Sequence, residues 1–326
     1  MAPVTYLEAI SAGLREEMER DSNVFCLGED IGVYGGAFKI TKGFLDDFGE
    51  NRIIDAPVAE SVIIGAAMGA ALMGQRPVVE MQFADFVACG FNQLVNNVAK
   101  THYRWGASVP LVVRCPSGAI GNAGPFHSQN PEAWFCKVPG LKVVTPATTY
   151  DAKGLLKASI RDNNPVLFFE HKGLYRLPRI REELPTEDYI VPIGEAIVRR
   201  EGNDATIITY GKMVFHSLDA ADNLAKDGIK VEVLDLRSLL PYDKQAILES
   251  VRKTNRVMVV HEDTLTGGYG GEIAAMIADE AFEYLDAPIR RLAAIDTPVP
   301  FSPPLESYFL PNTEKITDAL RDLVAY

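Results

Sequence analysis

The chain has 326 residues, 47% of them apolar, too many for one hydrophobic core and enough for two domains of roughly 150 residues each. Its 32 basic and 44 acidic residues leave a net charge of -12, and lysine and arginine nowhere gather into the stripe that tracks a phosphate backbone, which argues against nucleic acid as a partner. A membrane span is also disfavoured, because the charge-free run from Val62 to Met73 covers twelve residues where a bilayer needs about 20.

Thr5 and Glu8 form a T-x-x-E capping box, and Leu7, Ile10, Leu14 and Met18 recur at helical spacing, so the chain is expected to open as a helix over 5–20. That start lacks the basic segment and apolar centre of a signal peptide, and the protein reads as cytoplasmic. A strand, VFCLGED, follows, and the Val62–Met73 run reads as a buried helix with Glu60 at its mouth. Further strands (RPVVEMQF, VPLVVR, LKVVTP, PVLFFEH) alternate with helical segments over 85–105 and 150–161 and with a glycine-rich loop, the rhythm of a parallel sheet covered by helices. Between Tyr175 and Asp204 three prolines and dense charge suggest an exposed connection, dividing the chain into domains 1–188 and 189–326. Beyond it ATIITYG, KVEVLDL, RVMVVHED and a short strand near IRRLAAI alternate with helices near 215–227 and 243–253 and a long one after TGGYGGE. The fold class expected is therefore α/β, with two doubly wound domains of which the second is smaller.

Cysteines 26, 89, 115 and 136 are too widely spaced for a C-x-x-C pair; at least three lie in apolar runs and read as buried reduced thiols. The five histidines show no metal-ligand spacing. GEDIGVYGG and GGYGGE do not fit G-x-G-x-x-G, and neither a P-loop nor a G-x-S-x-G elbow occurs. His127 sits in a polar, glycine-bearing loop between two strands, a common seat for reactive groups, whereas Ser128 is too close to it in sequence to form a hydrolase pair. Glu60 follows Asp55-Ala56-Pro57 in the first turn of its helix, where the dipole favours an acid by about 0.3–1 kcal/mol. Full burial would act the other way, raising a carboxyl pKa by up to about 3–5 units, so that Glu60 could share a proton with a neutral heterocycle. IRDNNPV, at 160–166, reads as a turn that could also offer hard oxygen ligands to a cation.

Taken together, LGEDIGVYGGAFKITKGF, RIIDAPVAE, RPVVEMQFADF, HSQNPEAWF, PGLKVVTPATTYDAKGLLKASIRDNNPV and VEVLDLRSLLPYD resemble the beta subunits of the thiamine-diphosphate-dependent decarboxylating component of 2-oxo acid dehydrogenase complexes, in order and from Thr5 to Tyr326. The resemblance implies a thiamine pyrimidine-binding domain followed by a transketolase C-terminal-like domain. It implies that Glu60 hydrogen-bonds the aminopyrimidine of the cofactor and moves its proton, that Phe86 packs on that ring, and that Gln82 and Val58 line the pocket. His127 matches a histidine implicated in acyl transfer to lipoate, and Leu111, Ser159, Ile160, Asp162 and Asn164 match a potassium site of some relatives. No G-D-G motif for the diphosphate-bound magnesium occurs in this chain; the resemblance places it on an alpha subunit, in an alpha2-beta2 heterotetramer served by a lipoyl-bearing acyltransferase core.

Three alternatives stand beside this reading. An acetoin dehydrogenase beta subunit would use the same residues on another substrate. A stand-alone transketolase-like enzyme would need the diphosphate domain in the same chain, for which 326 residues are too few. A non-catalytic transketolase-like binding subunit would have no need of Glu60, Phe86 and His127 together. The pyruvate or branched-chain substrate stays open, since HSQNPEAWF and HEDTLTGGYGGEI lean to branched-chain relatives while IRDNNPV is shared with pyruvate relatives.

Overall fold

The computed structural model describes residues 2–326. Contacts divide them into two compact units: one runs to Ser117 and resumes over Trp134–Ile193, and the other joins Gly118–Ala133 to Gly194–Tyr326. The second unit thus begins at 194 and takes in, in addition, the loop that carries His127. Among the described residues no helix is long and apolar enough to cross a membrane.

In the first unit the capping box forms as expected, with the Thr5 side chain and the Glu8 carboxylate each accepting from the other's backbone amide, and it starts helix α1 (Tyr6–Arg20). Strands β1 (Val24–Gly28), β2 (Ile53–Asp55), β3 (Arg76–Glu80), β4 (Val112–Ser117), β5 (Lys142–Val144) and β6 (Val166–His171) lie in the order β5-β6-β4-β3-β1-β2, every pair parallel. Parallel strands need covering helices: α2 (Glu60–Leu72) packs on β3, and α3 (Thr149–Arg161) lies against α1. The helical segment expected over 85–105 is built of a 3-10 turn at Ala84–Gly90, a π segment at Gln93–Val98 and an α-helix at Ala99–Trp105.

Two expectations fail here. Helix α2 is not buried all round: Ile63, Ile64, Ala67 and Ala71 face the core, but Val62, Gly65, Ala66, Gly69 and Leu72 face outward, because sheet and 3-10 turn cover one side only. Of the cysteines, 26 and 115 are buried, Cys136 is half-buried and Cys89 is exposed, having fallen on the outer side of that 3-10 turn.

At the middle of the sheet three neighbouring strands hold a buried charge cluster. Glu80 pairs in register with Arg114, and Pro116 with Glu170. The Arg114 guanidinium donates to Glu80 Oε2 at 2.6 Å and to both oxygens of Glu170, and the Tyr175 hydroxyl donates to Glu170 at 2.9 Å. Burial pushes the Glu170 carboxyl up from its ordinary value, and Arg114 opposes this. Tyr175 belongs to the stretch expected to be exposed, yet it is buried by this bond.

In the second unit β7 (Ile197–Arg200), β8 (Ala205–Thr209), β9 (Val231–Asp235), β10 (Val257–Thr264) and β11 (Arg290–Ala294) lie in the order β11-β10-β8-β9-β7. All pairs are parallel except β7 with β9, an antiparallel edge the alternation did not announce. Ala205, Ile207, Val231, Val233, Met258 and Val260 form its core with helices α4 (Met213–Ala225) and α7 (Thr313–Val324), while α5 (Lys244–Thr254) and α6 (Gly270–Glu280) pack on β8 and β10.

Removing one partner from a buried ion cluster leaves the others uncompensated, so Arg114→Ala is expected to cost about 3–5 kcal/mol of folding free energy. Denaturant unfolding of wild type and variant measures it, and a loss below about 1 kcal/mol would contradict a buried charge cluster of this kind.

Candidate active site

Because β1, β2 and β3 run parallel and in register at Gly28, Asp55 and Glu80, the loops that follow them leave the sheet at one edge. Carboxyl ends of parallel strands are where such sheets place ligands. The loop after β1 carries Glu29 and Asp30, the segment after β2 carries Val58 and Glu60, and the segment after β3 carries Gln82 and Phe86. Hydrogen bonds tie these segments together: Gly32 N–H donates to Asp55 Oδ1 at 2.7 Å, Ala56 N–H to the Gly28 carbonyl at 2.8 Å, and the Gln82 amide to Asp30 Oδ2 at 3.3 Å.

Glu60 is the first residue of α2, and Ala59 before it offers no side-chain cap. The half-buried carboxylate therefore stands where the first helical amides have no capping side chain, a favourable place for an acid. Phe86 lies in the Ala84–Gly90 turn, half-buried and edge-on to Phe83 with ring centroids 5.8 Å apart. Gly90 lets that turn approach α2, since a β-carbon there would stand 2.2 Å from Ile64 Cδ1 and 3.5 Å from the Glu60 carbonyl. Val58, 81% exposed, marks the outer rim.

Glu29 is the residue the sequence reading passed over. It is buried, its Oε1 has no hydrogen-bond partner, and burial followed by the charges of Glu60 and Asp30 raises its pKa, against a bond from the Ala59 amide. A signal existed in the acid pair Glu29-Asp30 immediately after an apolar strand. Cys89 stands near the same acids, and burial followed by Glu60 and Glu29 raises its thiol pKa. The edge thus combines an accessible carboxylate, a second acid lacking a partner for one oxygen, and an aromatic face. Such a donor set fits a planar heterocycle with polar ring nitrogens.

His127 belongs to the second unit, half-buried on the loop Gly118–Ala133, with its N–H 3.4 Å from the Gly124 carbonyl. The potassium candidates come together at the opposite edge of the first sheet, near the amino ends of β4 and β6, where the oxygens of Leu111, Ile160 and Asp162 already have partners. The Leu111 carbonyl accepts from Val166 N–H at 2.9 Å, Arg76 donates to the carbonyls of Ile160 (2.9 Å) and Asp162 (3.1 Å), and the Asp162 carboxylate binds Lys142 and the Asn164 amide. The Ser159 hydroxyl donates to the Leu155 carbonyl. Lys142 and the Asn164 amide together hold the Asp162 pKa below its usual value against the opposing effect of burial. Among the described residues no three histidine, cysteine, aspartate or glutamate side chains gather as a metal site.

Residues 2–178 match the transketolase pyrimidine-binding domain and residues 194–316 the transketolase C-terminal domain. A solved structure described as a split-gene transketolase, an inactive beta4 tetramer, superposes with a TM-score of 0.81 over 99% of both chains at 22% identity, a likeness of fold. The chain is a transketolase-type α/β protein with a pyrimidine-binding domain and a C-terminal domain. It is 50% identical to the 2-oxoisovalerate dehydrogenase subunit beta of Bacillus subtilis over 100% of both chains, and 45% identical to the pyruvate dehydrogenase E1 component subunit beta of Staphylococcus epidermidis over 98% of both. Within that class it belongs to the family of 2-oxo acid dehydrogenase beta subunits.

Because the Glu29 pKa is raised, ionising it costs the folded state stability as pH climbs from the ordinary carboxylate value of 4.5 through the raised one, and costs nothing below that window. Glu29→Gln should therefore melt higher than wild type at about pH 7, the gap closing towards about pH 4. Thermal unfolding across that range checks this, and a gap independent of pH would refute it.

Proposed function

We propose that this chain is the beta subunit of a thiamine-diphosphate-dependent 2-oxo acid dehydrogenase that decarboxylates a branched-chain 2-oxo acid and passes the acyl group to a lipoyl arm. The observation that carries it is Glu60, an accessible carboxylate at a helix start, beside the Phe86 turn and the buried Glu29. When bound, thiamine diphosphate supplies the electron sink that lets a 2-oxo acid lose carbon dioxide. Glu60 would hold and return a proton at a ring nitrogen of the pyrimidine, the role for which a positioned carboxyl is suited. Phe86 would cover a face of that ring, Gln82 and Val58 would line its rim, and the apolar α2 behind Glu60 limits water on that side. On the second unit, the His127 imidazole would protonate the sulfur released when the S–S bond of the lipoyl disulfide breaks and its other sulfur takes the acyl group, the disulfide accepting the two electrons of the oxidation.

The relatives' names include the word subunit, which supports an alpha partner holding the magnesium and the diphosphate in an alpha2-beta2 heterotetramer, served by a lipoyl-bearing acyltransferase core. Those names favour 2-oxo acids over acetoin, and the 50% identity to the 2-oxoisovalerate relative supports the branched-chain substrate. A potassium ion at the Leu111–Asn164 cluster would share the Ile160 and Asp162 carbonyls with Arg76, and no step above depends on it. Four cysteines outside any disulfide suit a reducing compartment such as the cytosol.

Reconstituted with its alpha partner, Glu60→Gln is expected to fold and assemble yet lose at least about 100-fold in decarboxylation, because an amide cannot exchange the proton. Near wild-type turnover would remove Glu60 from this role. His127→Ala should slow reductive acylation of a lipoyl domain more than decarboxylation followed with an artificial electron acceptor, whereas equal losses would speak against the assignment. Among pyruvate, acetoin and 3-methyl-2-oxobutanoate, the last should show the highest kcat/KM; a preference for pyruvate would overturn the branched-chain reading.

A further inference from the structure

The loop that carries His127 is held partly by its own bonds, the Gln129 side-chain amide donating to the Pro125 carbonyl at 3.0 Å and the His127 backbone N–H to the Gly124 carbonyl at 3.4 Å. Gly118, Gly121, Asn122 and Gly124 all have positive φ, at 83°, 90°, 62° and 68°, a run of left-handed turns with no ladder of backbone bonds. Gly118 N–H donates to the Gln129 carbonyl at 3.1 Å and closes the base of the loop. Among its other anchors are acidic side chains from elsewhere in the same unit. Near the end of β10, Glu262 is 6% exposed, and its Oε1 accepts from Ala119 N–H at 2.8 Å and from the Asn130 side-chain amide at 3.1 Å. Ala119 and Asn130 are the two stems of the loop, one on each side of His127, so a single carboxylate oxygen ties both stems to a core strand. Further out, Glu306 Oε2 accepts from Asn122 N–H at 3.0 Å, and the Phe301 ring lies so close to Gly124 that a β-carbon there would meet it at 2.3 Å.

We propose that Glu262 is a positioning residue for His127, acting through its grip on both stems of the loop. Both bonds lie away from water, where a hydrogen bond is stronger. With one oxygen holding both stems, its loss frees them together. A displacement of about 1 Å in a positioned group can cost roughly 100-fold in rate, so the effect should appear in the step His127 serves. The closing of the base by Gly118 and Gln129 predicts that the loop loosens rather than unfolds. The proposal rests on the acyl-transfer reading of His127.

The test uses the reconstituted alpha–beta assembly with thiamine diphosphate, magnesium and a lipoyl domain, reading the ratio of reductive acylation to artificial-acceptor decarboxylation. Glu262→Ala is expected to lower that ratio at least about 10-fold, while Glu262→Gln, whose amide oxygen can still accept both bonds, stays within about 3-fold of wild type. In a His127→Ala background Glu262→Ala should lower the ratio no further, because two residues acting as one unit are not additive. Should Glu262→Ala fail to fold, Asn130→Ala, which removes one of the two bonds, is expected to lower the ratio by about 3-fold. Equal losses in both assays, an unchanged ratio, or an additive loss in the double variant would overturn the proposal. If His127→Ala alone loses both activities equally, the acyl-transfer reading fails; if His127→Ala is selective and Glu262→Ala is not, only the role of Glu262 fails.

Discussion

A guanidinium in the centre of the first sheet, on β4, holds a carboxylate from each flanking strand, Glu80 on β3 and Glu170 on β6. Buried carboxylates beside a guanidinium are tolerable when they are hydrogen-bonded to it, and these bonds favour one relative register of the three strands. Glu80 ends β3, and Met81 begins the segment that carries Gln82 and Phe86. The segment that carries Gln82 and Phe86 thus leaves from a strand whose register this cluster favours, and Glu80 also lies against Gly36 of the loop after β1. Parallel pairing of β3 with β1, and of β1 with β2, extends the same alignment to Glu29 and Glu60.

Opposite edges of that sheet have opposite chemistry. The carboxyl ends gather Glu29, Asp30, Asp55 and Glu60 beside an aromatic turn, whereas Arg76 and Lys142 neutralise carbonyls and a carboxylate at the amino ends. A helix start favours acids and a helix end leaves carbonyls that attract cations, so the α2 start with Glu60 and the α3 end with Ile160 and Asp162 follow one electrostatic rule. In the second unit a carboxylate does a different job, gripping loop stems instead of facing a ligand, as Glu262 does for Ala119 and Asn130.

Legibility from sequence depended on how local the cause was. The Thr5–Glu8 box and the helix start at Glu60 need only near neighbours and appear where the pattern placed them, and the alternation of strands and helices holds but for β2 and the antiparallel β7 edge, which it did not announce. Apolar character misled where it was taken for burial: the outward face of α2 is as apolar as the inner one, and Cys89 lies in an apolar run yet faces out. Burial is a relation between elements, which no periodicity within a single helix of alanine and glycine can report. Proline and charge around Tyr175 likewise hid a buried hydroxyl, because its partner Glu170 sits on a strand whose neighbours are set by the sheet.

By itself the sequence determined the α/β class and the family resemblance, and it put forward Glu60 and His127 from their local settings and Gln82 and Phe86 through the resemblance. Tertiary structure alone decided that Gly90 lets Phe86's turn lie against Glu60's helix, that Glu29 is buried near Glu60, and that one oxygen of Glu262 holds both ends of the His127 loop. The physical reason is distance along the chain. Glu262 lies 143 residues from Ala119 and 132 from Asn130, and only the folding of the second unit brings such groups to hydrogen-bonding range.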